Sequence, residues 1–526
     1  MKEMNSWTEG DWIGSIAAAA LLGTFLLGGI IANRKTDQVL GHPRGLFVLF
    51  YVEMWERFSY YGMRALLVLY LTKHWLFDDS KANLIYGAYG SLVYITPVLG
   101  GLIADRWLGQ RKAAIVGSVL LACGHGLMAV EGSGGQTDPA INVFWLALAF
   151  IIVGSGFLKA NISVLVGKLY PITDPRRDGA YSIYYMGVNG GSALGAILVG
   201  YVGETIGWSY GFGLAGIGMV IGILIFVIGT PALRGQGEPP APLSRQREYI
   251  LYGIGVTAVI VTWILIQYQA TMQNLLIVTG VAMLAYTLYE TFKLPKEPRE
   301  RMFVILFLVA LNPIFWGLFE QAGGSLSLYT DKFVDRGGIP TSLFQSINPI
   351  FVVALAPLFA GLWQWLSKRG MEPSAPAKFG LALLQLGLGF LVFVWGANSV
   401  EGSSAMPILF VFLIYLLHTT GELCLSPVGL SAMTRLSPRH LASFIMGMWF
   451  YSWAVAEFVA GKIGEATGGE SGEMDKELTL SIYTKVGWCS IGVAIVVLLV
   501  ARYVKHWMHL RSLENEVVDA DRSRFV

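Results

Sequence analysis

The chain contains about fourteen stretches that are long and apolar enough to cross a lipid bilayer, and this feature limits its fold more than any other. Hydrophobic residues make up 54% of the sequence, charged residues only 14%, and the mean hydropathy is +0.57. These values exclude an ordinary soluble enzyme. The sequence therefore predicts an all-α polytopic membrane protein. The predicted spans are residues 46–71, 84–104, 113–130, 141–166, 182–203, 208–233, 249–269, 275–289, 302–329, 342–366, 379–397, 407–433, 441–460 and 480–504.

A further uncharged stretch lies near the N-terminus, at residues 12–33. Glu9 and Asp11 precede it, whereas Arg34 and Lys35 follow it, and this order of charges is the reverse of that in a secretory signal peptide. We therefore expect an additional N-terminal spanning helix whose N-terminus lies outside the cytoplasm.

Loop charge predicts the orientation of the other spans. Alternate loops are rich in Lys and Arg, as at residues 106–112, 168–177 and 293–301, whereas the loops between them are acidic, as at residues 465–477. By the positive-inside rule we expect the basic loops on the cytoplasmic side.

The first main span carries charges that a helix surrounded by lipid would not tolerate. Its polar positions follow helical spacing, so they share one face of the predicted helix. They are Glu53, Glu56, Arg57, Tyr60, Tyr61 and Arg64. Charges inside a membrane cost several kcal/mol when they face lipid, and they usually mark functional sites. We expect this charged face to look into a protein-lined or water-filled interior. The alternative is an ion-pair network that only holds helices together.

The chain also contains an internal repeat. The segment Pro97-Val-Leu-Gly-Gly-Leu102 resembles Pro357-Leu-Phe-Ala-Gly-Leu362, which lies 260 residues later (357 − 97), and each is followed by a basic loop. Parallel halves of this kind are a transporter architecture. The spans 249–269 and 275–289 belong to neither half, so we interpret them as an insertion.

The repeat predicts two gate pairs. Shifting Lys159 by 260 residues gives position 419, one helical turn from Glu422, and shifting Arg64 gives position 324, about one turn from Glu320. We therefore predict that Lys159 pairs with Glu422 and Arg64 with Glu320, each pair forming when one end of a central cavity closes.

The charged motif Glu53-x-x-Glu56-Arg57-Phe-x-Tyr60-Tyr61-Gly62 resembles the signature of the proton-dependent oligopeptide transporter (POT/PTR) family, within the major facilitator superfamily. Similar family motifs are Tyr184-Tyr185-x-x-Val188-Asn189-x-Gly191, Phe315-Trp316-x-x-Phe319-Glu320-Gln321, Asn348-Pro349 and Gly421-Glu422-Leu-x-x-Ser426-Pro427-x-Gly429. The resemblance covers about residues 44–507.

The resemblance implies a domain organisation. Two six-helix bundles are expected at residues 44–235 and 299–510, with two inserted helices at 236–298, as in bacterial members. Residues 1–43 form an N-terminal segment with the additional helix, and residues 511–526 form a cytoplasmic tail. The implied location is the bacterial inner (plasma) membrane, with many spans.

The resemblance also implies roles for charged residues. Glu53, Glu56 and Arg57 would couple transport to protons, together with Lys159 and Glu320. The carboxylate of a peptide would bind Arg64 and Lys159, and its amino group would bind Glu422. The full set of implied substrate-binding residues is Arg64, Tyr61, Tyr94, Lys159, Asn189, Trp316, Glu320, Asn348, Glu422, Ser426 and Trp449.

The remaining implied roles concern uncharged residues. Asn189 and Asn348 would bind the peptide backbone. Tyr61, Tyr94, Trp316 and Trp449 would line pockets for peptide side chains, and aromatic walls of this kind accept many side chains. The cluster from Trp449 to Trp453 has two open readings, pocket lining or anchoring at the membrane interface.

The implied function is proton-coupled symport of di- and tripeptides by alternating access, in a monomer that uses protons as the coupling ion and needs no cofactor. The alternative is a proton symporter of the same fold for nitrate or a drug-like compound. An intramembrane enzyme is not expected, because no nucleophile with a base and no HExxH metal pair occurs. His418 and Glu422 lack a third ligand, so no metal site is expected. The net charge of +2 does not indicate nucleic-acid binding.

Overall fold

The structure is a computed structural model that describes residues 38–510 and 512, except for residues 172–173, 175 and 401–404. The predicted N-terminal helix at residues 12–33 therefore lies outside the described residues. The described part contains fifteen α-helices. They are α1 Arg44–Lys73, α2 Asp79–Ile103, α3 Gln110–Met128, α4 Ile141–Lys168, α5 Arg177–Thr205, α6 Trp208–Gly229, α7 Arg245–Gln267, α8 Gln269–Lys293, α9 Lys296–Phe319, α10 Ser325–Phe333, α11 Ile347–Lys368, α12 Ala375–Asn398, α13 Leu409–Leu436, α14 Ala442–Ala466 and α15 Lys476–Trp507.

Short elements connect the helices. A short π-helix at Ala104–Leu108 follows α2, and 3-10 helices lie at Thr230–Leu233, Glu320–Gly323, Thr341–Ser346 and Arg439–Leu441. Two pairs of two-residue strands are also present in the described part. They are β1 Gln38–Val39 antiparallel to β2 His42–Pro43, and β3 Val334–Asp335 parallel to β4 Met406–Pro407.

The helix count confirms the prediction of an all-α membrane protein. Apart from α10, which has nine residues, every α-helix of the described part has between 19 and 32 residues, which makes fourteen long helices. Twelve spans among the described residues satisfy both the length and the apolar composition needed to cross a membrane. The other two long helices are α1, which carries the charged face, and α3. The number of long helices equals the number of predicted spans.

The described helices form two compact units. The first unit contains the described residues up to Phe77, Ile95–Gln267 and Gly338–Val353. The second contains Asp78–Tyr94, Tyr268–Gly337 and the described residues from Ala354 onward. The boundary between the units along the chain therefore falls within α2 and again between α7 and α8. The division into bundles at residues 44–235 and 299–510 stays a prediction.

In the first unit, α1 packs against α5 through glycines that let the two backbones approach closely. A Cβ atom added at Gly191 would overlap the carbonyl oxygen of Met54, and one added at Gly195 would overlap that of Phe58. Any side chain at these two positions would push the helices apart. The Cβ atom of Arg57 also lies against Gly191. The glycine contact therefore fixes the position of the charged face on α1.

In the second unit, the first half of α2 packs against α14. A Cβ atom at Gly87 would lie 2.6 Å from the Cα atom of Gly461, so the two helices are in close backbone contact. One turn along, Gly90 lies against the carboxylate of Glu457. Small residues at such crossings allow the close approach that drives helix association in membranes.

The predicted span 302–329 is interrupted in the structure. Helix α9 ends at Phe319, and a 3-10 turn at Glu320–Gly323 separates it from α10. The side-chain nitrogen of Gln321 donates to the carbonyl oxygens of Gly317 at 2.9 Å and of Ala460 at 3.0 Å. These bonds hold the break against α14, as expected where a spanning helix leaves regular geometry inside protein.

Candidate functional site

The charged face of α1 is buried in the first unit. Glu53 and Glu56 are each 1% exposed, and Arg57 and Arg64 are also buried. The guanidinium of Arg57 donates from Nε to Glu53 Oε1 at 2.7 Å, and the same nitrogen lies 3.2 Å from Glu56 Oε2. One guanidinium therefore contacts two carboxylates on its own helix, and the predicted face is not exposed to lipid.

This arrangement has a clear electrostatic consequence. Glu53 and Glu56 together carry two negative charges when ionised, and Arg57 carries one positive charge. These three residues therefore have a net charge of −1, which is costly in a medium of low dielectric constant. A cation that approaches Glu56 stabilises its ionised form, and withdrawal of that cation favours protonation. The cluster can therefore exchange a proton in response to the movement of a nearby cation.

Lys159 is such a cation. It lies on α4, and its Nζ atom is 4.4 Å from the centre of the Tyr60 ring on the charged face of α1. An ammonium over an aromatic face is attracted by the ring quadrupole. Arg64 lies further along α1, with its Cζ atom 5.9 Å from the ring of Tyr61. The structure thus brings Lys159 and the residues of the α1 face together within one unit.

The two asparagines of the implied site also belong to the first unit. Asn189 lies on α5 two residues before Gly191, and its side-chain nitrogen donates to the carbonyl oxygen of Tyr185 at 3.0 Å. Asn348 lies in the first turn of α11 and is half-buried. The preceding 3-10 turn is fixed by Glu204 on α5, whose carboxylate accepts from the backbone N–H groups of Thr341 at 3.1 Å and Ser342 at 2.6 Å.

Aromatic rings gather in the second unit. The rings of Trp316 on α9 and Trp453 on α14 have centroids 3.9 Å apart, and Tyr94 stacks on Trp453 at 5.1 Å with an interplanar angle of 21°. Trp453 was not among the predicted site residues, although it lies between two that were. Its spacing of one helical turn from Trp449 is the sequence signal from which it could have been predicted.

Trp449 is buried on α14, and a hydrogen-bond chain holds the adjacent backbone. The side-chain nitrogen of Asn312 on α9 donates to Ser452 Oγ at 2.8 Å, and Ser452 Oγ donates to the carbonyl oxygen of Trp449 at 2.6 Å. These bonds join α9 to α14 close to the backbone positions of Trp316 and Trp449.

The carboxylates of the second unit lie on separate elements. Glu320 is buried at the break after α9, whereas Glu422 and Ser426 lie one turn apart on α13 and are half-buried. Their pairing with Arg64 and Lys159 as gates stays a prediction. Sequence reasoning missed Glu457, a fully buried carboxylate on α14.

Among the described residues, no group of three or more His, Cys, Asp and Glu side chains has a geometry that suits a metal ion. His418 is buried on α13 between aromatic rings, with its own ring 5.0 Å from that of Phe390 and 6.0 Å from that of Phe319. The ring of His418 therefore packs against aromatic side chains.

Comparison with known proteins identifies the family. The family model described as "POT family" matches residues 111–472. The chain belongs to the POT family. The match begins after α1, so the charged motif supports the assignment independently.

Curated relatives align over nearly the whole chain. An uncharacterized transporter, YclF, from Bacillus subtilis (strain 168) is 36% identical over 91% of this chain and 98% of its own length. The peptide transporter YePEPT from Yersinia enterocolitica is 36% identical over 81% of this chain and 88% of its own length. The dipeptide and tripeptide permease B of Edwardsiella piscicida is 32% identical over 91% of this chain and 97% of its own length.

Solved structures agree with the fold. A crystal structure of a peptide transporter POT in complex with sulfate has a TM-score of 0.78 at 32% identity, and it covers 91% of this chain and 99% of its own. A POT family transporter in complex with 5-aminolevulinic acid has a TM-score of 0.77 at 31% identity, covering 89% and 98% of the two chains. The expected major facilitator superfamily fold is confirmed, and the protein is a multi-pass integral protein of the bacterial inner membrane.

Proposed function

We propose that this POT family member is a symporter that imports di- and tripeptides together with protons. The observation that carries the proposal is the buried cluster on α1, in which Arg57 contacts both Glu53 and Glu56 while Lys159 lies beside the same face. Intramembrane charges in such numbers are costly, and a proton relay is one of the functions that accounts for them.

The peptide assignment is supported by relatives named peptide transporter and dipeptide and tripeptide permease. The chemistry of the side chains agrees with it. A zwitterionic peptide needs cations for its carboxylate, and Arg64 and Lys159 supply them in the first unit. It also needs an anion for its amino group, and the resemblance to the family assigns that role to Glu422.

Coupling follows from competition for the same cation. The carboxylate of the substrate draws Lys159 toward itself, and Glu56 then loses the positive charge that stabilises its ionised form. Proton uptake by Glu56 and peptide binding therefore favour each other, which is the thermodynamic requirement for symport.

The test replaces Glu56 with Gln in proteoliposomes that contain the purified protein. We expect the variant to lose accumulation of a labelled dipeptide driven by an inward proton gradient, while peptide exchange without a gradient continues. Glu238→Gln serves as the matched control, because that carboxylate is 44% exposed and pairs with Arg111 away from the cluster. Full accumulation in the Glu56 variant would refute the coupling role.

A competition panel tests the substrate. Unlabelled di- and tripeptides should inhibit uptake, whereas single amino acids should not, since they do not span the separation between a peptide's termini. Inhibition by nitrate or a drug-like compound without inhibition by any peptide would favour the alternative substrate class.

A further inference from the structure

A group of cations lies at the C-terminal end of α15, apart from the site described above. Arg502, Lys505 and His506 follow helical spacing (i, i+3, i+4), so they share one side of the helix, and His509 lies just beyond its end. His509 contacts Glu300 near the start of α9, where Arg301 is buried. The basic loop before α9 predicts that this end of both helices is cytoplasmic.

A cavity of about 1250 Å³ opens beside these side chains. Its walls include Arg502, Lys505, His506 and His509 on one side and Glu297 of α9 on the other. Such a volume holds the headgroup of a phospholipid as well as part of its glycerol backbone. A basic cavity between spanning helices on the cytoplasmic side is the type of site that binds anionic lipid headgroups.

The acidic residues near the cavity are already engaged. Glu297 lies 3.6 Å from the guanidinium of Arg301, and Glu300 contacts the ring nitrogen of His509 at 2.5 Å. Within the described part of the chain, neither Arg502 nor Lys505 forms an ion pair with a carboxylate. The positive charge of Arg502 and Lys505 is therefore not neutralised by a carboxylate of the described residues, and a ligand can neutralise it.

The surface next to the cavity indicates what kind of anion fits. Ile495, Val496 and Leu499 on α15 are exposed along the same helix, and Leu499 is 72% exposed. Tyr503, also 72% exposed, and Trp507 come next toward the helix end. An apolar strip that ends in Tyr and Trp beside cations reproduces the order of acyl chain, interface and headgroup in a bilayer.

We propose that this cavity, bounded by the end of α15 and the start of α9, is a binding site for one anionic phospholipid of the inner leaflet. Its phosphate binds Arg502 and Lys505, because cations and phosphate oxygens form charge-assisted hydrogen bonds. Its acyl chain lies along Ile495, Val496 and Leu499. A soluble phosphate has the same charge but gains nothing from the apolar strip, so the geometry favours the lipid. The proposal is independent of the substrate.

The experiment titrates phosphatidylglycerol into the delipidated full-length protein and counts bound lipids by native mass spectrometry. Wild-type protein should show one saturable site, and phosphatidylcholine should not fill it. Replacing both Arg502 and Lys505 with Gln should weaken binding by roughly thirtyfold, since each basic side chain near an anionic headgroup contributes about a factor of five.

Two further variants make the result specific. Lys368→Gln with Arg369→Gln removes the same charge from exposed positions at the end of α11, and it should leave the saturable site intact. Exchanging Arg502 for Lys and Lys505 for Arg keeps the charge and should retain binding to within a few fold. Equal loss of binding in both Gln variants, or no loss in either, would overturn the proposal. Displacement of the lipid by inorganic phosphate at millimolar concentration would also overturn it, because the site would then recognise an anion alone.

Discussion

Replacing Asp79 with Asn is expected to destabilise the protein by about 1.5–3 kcal/mol. Asp79 begins α2 and is 1% exposed. Its carboxylate contacts the ammonium of Lys332 at the end of α10 and accepts from the backbone N–H of Met474 at 2.6 Å. A single buried carboxylate therefore ties the start of α2 to two other segments of the second unit.

The magnitude follows from what each variant leaves unpaired. Asn keeps an oxygen for the Met474 N–H but loses the charge that binds Lys332, and a hydrogen bond to a charged group is worth about 1.5–3 kcal/mol. The Lys332 side chain is 33% exposed and lies 3.2 Å from Glu473, so it retains water and a second partner. The full cost of breaking a buried pair, about 3–5 kcal/mol, is therefore not reached. Asp79→Ala also leaves the Met474 N–H without an acceptor and should cost about 3–5 kcal/mol.

The assay is reversible unfolding of the detergent-solubilised protein, followed through a double-mutant cycle with Lys332→Met. If the two side chains interact as the structure shows, Asp79→Asn should cost about 1–2 kcal/mol less in the Lys332→Met background than in the wild type. Asp78→Asn is the matched control. Its carboxylate is exposed and accepts mainly from the backbone N–H of Lys81 at 2.7 Å, so its loss should cost less than about 1 kcal/mol.

A coupling energy below about 0.5 kcal/mol would refute the reasoning, because it would mean that Asp79 and Lys332 contribute independently. Equal destabilisation by Asp78→Asn and Asp79→Asn would do the same, since burial would then have no effect on the cost.

Three further predictions concern other parts of the molecule. Gly191→Ala should abolish stable expression because the added Cβ atom overlaps α1. Gly190→Ala should be tolerated, because nothing lies within 4 Å of the added atom. Fluorescence-detected size-exclusion chromatography compares the two variants. Trp453→Ala should remove the ring that stacks on Trp316 and weaken binding of aromatic dipeptides by about tenfold, which uptake competition measures. Hydrogen bonds from the backbone N–H of Ala140 and from the hydroxyl and backbone N–H of Ser133 lower the pKa of Asp138 to about 2. The stabilisation that these bonds give the loop is therefore present above the ordinary pKa near 4 and is lost as pH falls toward 2. Amide exchange of the loop, compared with Asp138→Asn, checks the direction.

Periodicity predicted the spans and the charged face because both depend on local spacing. Fourteen long helices and a buried face on α1 follow from the recurrence of apolar and polar residues at helical intervals. The pairing of Lys159 with this face could not be derived that way. Residues on α1 and α4 are about a hundred positions apart, and no pattern within either helix indicates which side of the other it meets.

The pairing of α1 with α5 could be predicted from the sequence only in part. Gly191 and Gly195 are four residues apart, the spacing of small residues that permits close helix contact, but this spacing does not name the partner helix. The break after Phe319 was not predicted, although the polar and glycine residues of Glu320-Gln-Ala-Gly-Gly-Ser325 interrupt the apolar pattern there. It depends on the bonds from Gln321 to Gly317 and Ala460, of which the second crosses between helices. The division of α2 between two compact units likewise depends on contacts distant in sequence.

The pairing of Arg57 with carboxylates on its own helix has a consequence for biogenesis. Translation proceeds at about 5–20 residues per second, so α5 leaves the ribosome roughly ten seconds after α1. During that interval α1 must reside in the translocon or the bilayer without the glycines of its later partner. Glu53 and Glu56 balance Arg57 and Arg64 in formal charge, and the contacts among Glu53, Glu56 and Arg57 form within one turn or so of helix. The nascent helix can therefore enter the membrane with much of its charge already compensated, before any tertiary neighbour exists.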